Sequence, residues 1–160
     1  MSYSDNDRHI VDVLTKILKK YECKISMERA GLKLTKKCIS KSDCFLCVLT
    51  KNYINSEYCY REYKIAHQLK KKIFIVMFEK VDLDKSPIGL ETIGIQRCNL
   101  YKNQVSPDFT KNKEFKDLMK ELKHIIKSPR NVSFDYQYKF PHYNAYFQNN
   151  SKPQPFYSHN

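Results

Sequence analysis

The sequence predicts an α/β fold in which helices cover both faces of a parallel β-sheet. Two runs, Cys44 to Thr50 and Ile73 to Phe78, are apolar at nearly every position, as is typical of parallel strands buried on both faces. Segments with the three- and four-residue spacing of amphipathic helices lie before, between and after these runs. Strands that alternate with helices in this way indicate a layered α/β architecture.

The length and composition predict one domain followed by a tail. The chain has 160 residues, and a domain of about 130 residues can bury a core without disulfides or a metal. We place the domain at residues 1–128. In residues 129–160 aromatic residues alternate with Asn, Gln, Ser, Lys and Pro, and aliphatic residues nearly vanish, so we expect a disordered tail.

The first part of the chain contains two predicted helices and a predicted strand. Asp5 or Asp7 can cap the first helix, which we expect to span about 14 residues. Its apolar positions are Ile10, Val13, Leu14, Ile17, Leu18 and Tyr21. The alternating segment Glu22 to Met27 predicts a short strand, and Leu34 to Ser40 a second helix.

The second part continues the same alternation. The cap sequence around Ser56 starts a helix that continues to about Leu69. After the buried run at 73–78 comes a long connection, Glu79 to Ile95, and then a short edge strand, Gln96 to Tyr101. The last helix covers about Lys111 to Ile126. Its predicted apolar face consists of Phe115, Leu118, Met119, Leu122, Ile125 and Ile126.

The six cysteines are expected to be free thiols. The first residues are polar and contain no apolar segment of a secretory signal, so we predict a cytoplasmic location, where thiols stay reduced. Cys44 and Cys47 have CxxC spacing, but on a strand their side chains point to opposite faces. No second pair of ligands accompanies them, so we predict no metal site.

The charge and the glycine content exclude several classes of function. The net charge is +12, yet only five of the 29 basic residues are arginines, so we predict no specific nucleic-acid partner. Three glycines cannot form the phosphate-binding loops of nucleotide-binding motifs. The apolar runs are too short to span a membrane.

Two segments resemble the Toll/interleukin-1 receptor (TIR) domain family. Ser2-Tyr3-Ser4, followed by polar residues and an amphipathic helix, is similar to the family's first conserved box. The stronger match begins after the apolar strand and reads Thr50-Lys51-Asn52-Tyr53-Ile54-Asn55-Ser56-Glu57-Tyr58-Cys59-Tyr60-Arg61-Glu62. Tyr53, Ser56, Tyr58, Cys59 and Glu62 fall in register with the family pattern. The resemblance covers about residues 1–126.

The resemblance implies a TIR-like, flavodoxin-like fold that signals by association with other TIR domains and forms a homo-oligomer on activation. In the family a buried strand precedes the first box, so we expect the first strand to be truncated here. The loop at 28–31 matches the family's assembly loop only in part. The resemblance assigns Arg29 and Gly31 to the interface.

Many members of the family hydrolyse NAD, and the matching catalytic carboxylate is Glu62. The resemblance also implies that Tyr58 stacks near nicotinamide or ribose, and that Tyr3, Ser4 and Arg8 line the opposite wall. NAD would then be a substrate, and no cofactor is expected.

Three alternatives remain open at this stage. Glu62 can instead be a solvated helix carboxylate that pairs with Arg61 or Lys64. The domain can also be a catalytically silent adaptor that uses the fold only for association. The weakest alternative is a basic nucleic-acid-binding protein. It stays open because electrostatic attraction of a basic protein to polyanions needs no specific site.

Overall fold

The computed structural model describes residues 1–27, 31–83, 86–92, 94–103 and 108–127. The predicted tail at 129–160 and the predicted interface residue Arg29 lie outside these residues. The helices are α1 (Arg8–Lys20), α2 (Leu32–Lys41), α3 (Lys51–Ile54), α4 (Glu57–Gln68), α5 (Pro87–Glu91) and α6 (Lys113–Lys127). The strands are β1 (Cys44–Leu49), β2 (Lys72–Met77) and β3 (Arg97–Asn99).

The strands of the described residues form one parallel sheet in the order β1-β2-β3. This arrangement confirms both buried strands and the short edge strand that the sequence predicts. At the other edge of β1, Ser2 forms an isolated parallel bridge with Cys47. The Ser2 N–H donates to the Leu46 carbonyl at 2.8 Å, and the Val48 N–H donates to the Ser2 carbonyl at 2.9 Å.

Helices cover both faces of the sheet, as predicted. Alternate strand residues such as Leu46, Val48 and Phe74 pack against α1 and α6. The intervening residues, such as Phe45, Cys47, Leu49 and Ile75, form a second core with α2 to α5. Because both faces are buried, the strand sequences are continuously apolar. The predicted fold class, a parallel sheet with helices on both faces, is therefore confirmed.

The prediction of a strand from Glu22 to Met27 is wrong: residues 22–27 form no strand. A strand needs a neighbouring strand to accept and donate its ladder hydrogen bonds. At this edge of the sheet only Ser2 pairs with β1 among the described residues. The expected truncation of the first strand concerns the chain before residue 1 and stays a prediction.

Three side-chain predictions are also corrected. Asp7 is the N-cap residue of α1 but makes no side-chain cap bond; its carboxylate accepts hydrogen bonds from residues after β1 instead. Val13 and Ile126, which the helical spacing places in the core, have exposed fractions of 48% and 45%. The buried side of α1 is formed by Val11, Leu14, Thr15 and Leu18, so Val13 faces away from the core. Ile126 lies in the last turn of α6, one residue before the helix ends.

Two short helices add to the predicted elements. α3 begins where the Thr50 hydroxyl accepts a hydrogen bond from the Tyr53 N–H at 3.0 Å. α5 lies in the long connection after β2 and contacts α4. The Glu91 carboxylate of α5 accepts hydrogen bonds from the Tyr60 hydroxyl at 2.8 Å and from Lys64 Nζ at 3.4 Å. These contacts support α4 from the side away from α2.

The CxxC cysteines behave as the strand geometry predicts. Cys47 is fully buried in the core on the α4 side, whereas Cys44 packs against the core on the α1 side. Burial raises the pKa of the Cys44 thiol to about 11 and raises that of Cys47 further. Both thiols are therefore protonated at neutral pH, which makes them poor nucleophiles.

We expect the protein to lose stability between about pH 9 and pH 11. In the unfolded chain a thiol ionises near pH 9.0, whereas buried Cys44 and Cys47 stay protonated to a higher pH. Because the native state then binds more protons, the free energy of unfolding falls by about 1.4 kcal/mol per pH unit for each such thiol. Urea midpoints at several pH values measure the fall. Cys47→Ala should show a shallower fall than the parent, and equal slopes would contradict the prediction.

Candidate functional site

The candidate site is built around α4, which two hydroxyl caps position. Thr50 caps α3, the short helix just before α4. At the start of α4 the Ser56 hydroxyl accepts a hydrogen bond from the Cys59 N–H at 3.3 Å. Cys59, Tyr63 and Ala66 then recur at three- and four-residue steps and pack into the core beside the sheet. Glu62 lies on the same inward side of α4, and only 6% of its surface is exposed.

The Glu62 carboxylate lies in a buried hydroxyl network. Ser2 Oγ donates to Glu62 Oε2 at 2.5 Å, and Ser2 Oγ and the Tyr53 hydroxyl are 3.0 Å apart. The Tyr53 hydroxyl also donates to the Cys59 carbonyl at 3.3 Å. Because backbone hydrogen bonds to β1 fix Ser2, the carboxylate has a defined orientation. A buried carboxylate needs such donors, since burial removes the water that would otherwise solvate it.

The alternative in which Glu62 pairs with Arg61 or Lys64 is wrong. Arg61 pairs with Glu57 one turn earlier, and Lys64 Nζ lies 3.4 Å from the Glu91 carboxylate. Both basic side chains point away from the sheet, whereas Glu62 points toward it. Glu62 is therefore a buried carboxylate rather than a solvated one.

A small cavity of about 40 Å³ adjoins Glu62. Its lining includes Thr35, Cys38 and Ile39 of α2, together with Phe45 of β1. The Tyr58 hydroxyl and Thr35 Oγ1 are 2.9 Å apart, so a hydrogen bond joins α4 to α2 beside the cavity. The cavity has room for a few water molecules but not for a nicotinamide ring. α2, together with Met1, Ser26 and Met27, therefore covers Glu62 in this conformation.

Two residues of the predicted opposite wall, Tyr3 and Arg8, lie on the other face of the sheet. The Tyr3 ring packs in the core formed with α1 and α6. Arg8 Nη1 donates to the Tyr3 hydroxyl at 2.8 Å, and Arg8 Nε donates to Asp12 at 3.1 Å. Ser4 is buried, and its carbonyl accepts from the Asp7 N–H at 2.9 Å. The structure thus brings Tyr3 and Arg8 together, but not next to Glu62. Their contact with NAD stays a prediction.

Sequence reasoning missed Ser2 as the donor to Glu62 and Tyr53 as the partner of Ser2. The alternation of side chains along an extended chain was the available signal. It places Ser2 and Tyr3 on opposite faces, so only one of them can point toward α4. Tyr53 matches the family pattern, but the pattern by itself gives its hydroxyl no role.

A second polar cluster occupies the end of β1. The Asp7 carboxylate accepts from Thr50 Oγ1 at 2.5 Å and from Asn52 Nδ2 at 2.7 Å. Asp7 and Thr50 are buried, so these bonds satisfy groups that would otherwise be costly to bury. The cluster joins the start of α1 to the residues after β1 and is explained as a structural contact.

The predicted interface residue Gly31 is exposed and directly precedes α2. Its φ of +88° lies in the region that favours glycine, and its carbonyl accepts from the Thr35 N–H at 3.0 Å. Its assignment to an interface stays a prediction. The same holds for Arg29, which lies outside the described residues.

Within the described residues, no group of three or more His, Cys, Asp or Glu side chains has the arrangement of a metal site. No described helix combines the length and apolar character needed to cross a bilayer. A family model described as TIR domain matches residues 1–122. Comparisons with curated proteins and with solved structures gave no match.

Proposed function

The chain belongs to the TIR domain family, and from this membership we propose that it acts in signal transduction by associating with other TIR domains. The observation that carries the proposal is the extent of the match. Residues 1–122 include the whole described sheet, the helices on both its faces and most of α6. The partner of first choice is a second copy of this chain, in a cytoplasmic homo-oligomer.

We further propose that the assembled domain cleaves NAD at Glu62. Nicotinamide departs as a neutral molecule, so its departure needs no general acid. The ribose that remains becomes oxocarbenium-like, and a carboxylate beside it can stabilise the positive charge and accept hydrogen bonds from its hydroxyls. Water then completes the hydrolysis.

The surroundings of Glu62 support this second proposal. The carboxylate is buried from bulk solvent and oriented by Ser2, which increases the electrostatic stabilisation that it can give. Tyr58 lies one helical turn before Glu62, so its ring can stack against a substrate bound at the same helix face.

The small size of the cavity favours activity in the assembly rather than in the separate domain. The space beside Glu62 measures about 40 Å³, and the hydrogen bond between Tyr58 and Thr35 joins the two helices that border it. A substrate can reach the carboxylate only if the residues that line this space, including those of α2, move. Association with another domain can supply the free energy for that movement if it favours the open form.

The same small cavity supports the alternative of a catalytically silent adaptor. If α2 keeps its position in the assembly, Glu62 stays covered and acts only as a buried structural carboxylate. The two proposals share the association step and differ in whether association uncovers Glu62.

Sedimentation velocity over a range of protein concentrations tests association, and nicotinamide release from NAD tests catalysis in the same samples. We expect the average mass to rise with concentration and with a crowding agent, and release to appear only where assemblies form. Assemblies without release would identify a silent adaptor. A protein that stays monomeric under all conditions would contradict the association proposal itself.

A further inference from the structure

Exposed lysines cluster at the end of the molecule where the strands begin. α2 directly precedes β1 and α4 directly precedes β2, so the last turns of both helices reach this end. The last turns of α1 and α6 reach it as well. We define the basic face by six exposed lysines: Lys20, Lys24, Lys41, Lys70, Lys123 and Lys127.

Side-chain contacts between neighbouring elements place these lysines around one end. Lys123 Nζ lies 5.1 Å from the centre of the Tyr21 ring, which joins α6 to the end of α1. Lys72 at the start of β2 pairs with Glu121 of α6 at 3.5 Å. Lys71 Nζ donates to the carbonyl of Ser42, just before β1, at 2.7 Å. The contacts thus run from α1 through α6 and β2 to the end of α2.

The lysines of the basic face lack paired carboxylates in the part of the chain that the structure describes. Across the described ranges, no ion pair joins any of the six lysines to a carboxylate. Among residues with described positions, the exposed carboxylates at this end are Glu22 and Asp43. At the opposite end of the strands, carboxylates accompany the cations, as in the pairs of Lys51 with Glu79 and of Arg61 with Glu57.

Helix stabilisation explains only part of this cluster. Lysines in the last turn of a helix interact favourably with its negative end, which accounts for Lys20, Lys41 and Lys127. Lys24 and Lys70 lie outside the helices, in the segments that come after α1 and α4. Their repulsion with the other lysines lowers stability, and an anionic partner would remove this cost.

The chemistry of the face favours lipid phosphate over nucleic acid. All six residues are lysines, which contact phosphate as point charges, and none has the planar guanidinium that reads bases in two-point contacts. Ile126 lies between Lys123 and Lys127 in sequence, and its side chain is 45% exposed. Basic residues around an exposed apolar side chain are typical of surfaces that lie in the headgroup region of a bilayer.

We propose that the basic face binds the anionic phosphate headgroups of a lipid bilayer. The domain then lies on the membrane surface, and the side chain of Ile126 enters the headgroup region. This interaction is separate from both proposed TIR functions, because it needs neither a second domain nor the Glu62 site.

The test is sedimentation of the full chain with vesicles of phosphatidylcholine alone or mixed with phosphatidylserine. We expect binding only to the mixed vesicles, and weaker binding as salt increases. The variant K20Q/K24Q/K70Q/K123Q should bind about 600-fold more weakly, since each of the four lysines near an anionic surface contributes roughly fivefold. The matched control K33Q/K80Q/K111Q/K113Q has the same net charge, changes exposed lysines elsewhere and should bind within about threefold of the parent.

Three results would overturn the proposal. One is an absence of parent binding to the anionic vesicles, and another is an equal loss of binding in the two quadruple variants. The third is a combination of two observations. The parent binds a short DNA duplex more tightly than vesicles at equal phosphate concentration, and Ile126→Ser binds vesicles as tightly as the parent. We expect Ile126→Ser to weaken vesicle binding about fivefold. Circular dichroism verifies that every variant is folded.

Discussion

Glu62→Gln is expected to abolish nicotinamide release from the assembled protein, with a loss of at least about 100-fold. Glutamine has the same shape and can still accept the hydrogen bond from Ser2, but it lacks the charge that stabilises the oxocarbenium-like ribose. Nicotinamide release measured by chromatography gives the activity. Far-UV circular dichroism and the mass in sedimentation should stay as in the parent.

Glu57→Gln provides the matched control, because it removes the same charge from the same helix. Glu57 is exposed and pairs with Arg61, so we expect its loss to change activity by less than about twofold, as is usual for exposed ion pairs. Retention of full activity by Glu62→Gln would show that the carboxylate has been misassigned.

Ser2→Ala separates the charge of Glu62 from its orientation. This variant keeps the carboxylate but removes the donor that lies 2.5 Å from Oε2. We expect kcat to fall about tenfold with little change in KM, in line with the loss of one hydrogen bond to a charged group. A merely structural role for Ser2 would lower the unfolding midpoint and leave kcat of the folded enzyme unchanged.

Gly89→Ala is expected to destabilise the connection after β2 and to disturb α4. A Cβ atom at residue 89 would lie 1.8 Å from the Leu83 carbonyl oxygen and 2.5 Å from the Leu83 carbonyl carbon. Backbone atoms cannot rotate away as a flexible side chain can, so α5 must shift. Overpacking of this kind typically costs about 1 to 3 kcal/mol, and we expect a value at the upper end from urea unfolding.

The disturbance should reach α4 because α5 contacts it through Glu91. The Tyr63 hydroxyl donates to the Glu91 carbonyl at 2.9 Å, and the Tyr60 hydroxyl donates to its carboxylate. Hydrogen exchange should therefore accelerate at the α4 amides as well as in residues 86–92. Lys80→Ala, an exposed change in the same connection, should alter stability by less than about 0.5 kcal/mol. Equal stabilities of Gly89→Ala and the parent would refute the predicted clash.

The elements that the sequence predicts well are those whose stability comes from a local pattern. β1 and β2 are apolar on both faces, and α6 places apolar residues at helical spacing, so periodicity identifies all three. α3 and α5 are too short to show a period. α3 depends on the Thr50 cap, and α5 on contacts between Glu91 and α4. The strand predicted at 22–27 is absent because it has no neighbouring strand among the described residues to pair with. Alternation of residues along the chain cannot show whether such a neighbour is present.

The candidate site was predictable only in part, for a related reason. The motif match identified Glu62, and the burial of Cys59, Tyr63 and Ala66 on the same helix side explains why it points inward. Nothing local indicates that its donor is Ser2 or that Tyr58 bonds Thr35 of α2. Those contacts depend on how distant elements meet, and side-chain spacing along one helix cannot reveal that.

The Ser2 to Glu62 contact has a consequence for the order in which the molecule folds. Ser2 and Glu62 are 60 positions apart in the sequence. Ser2 and Tyr53, whose hydroxyls also meet, are 51 positions apart. Closing such long loops costs chain entropy before any contact repays it. A nascent chain therefore cannot complete the network until α4 has left the ribosome. The residues that would carry the chemistry thus become arranged late, after the local helices have formed.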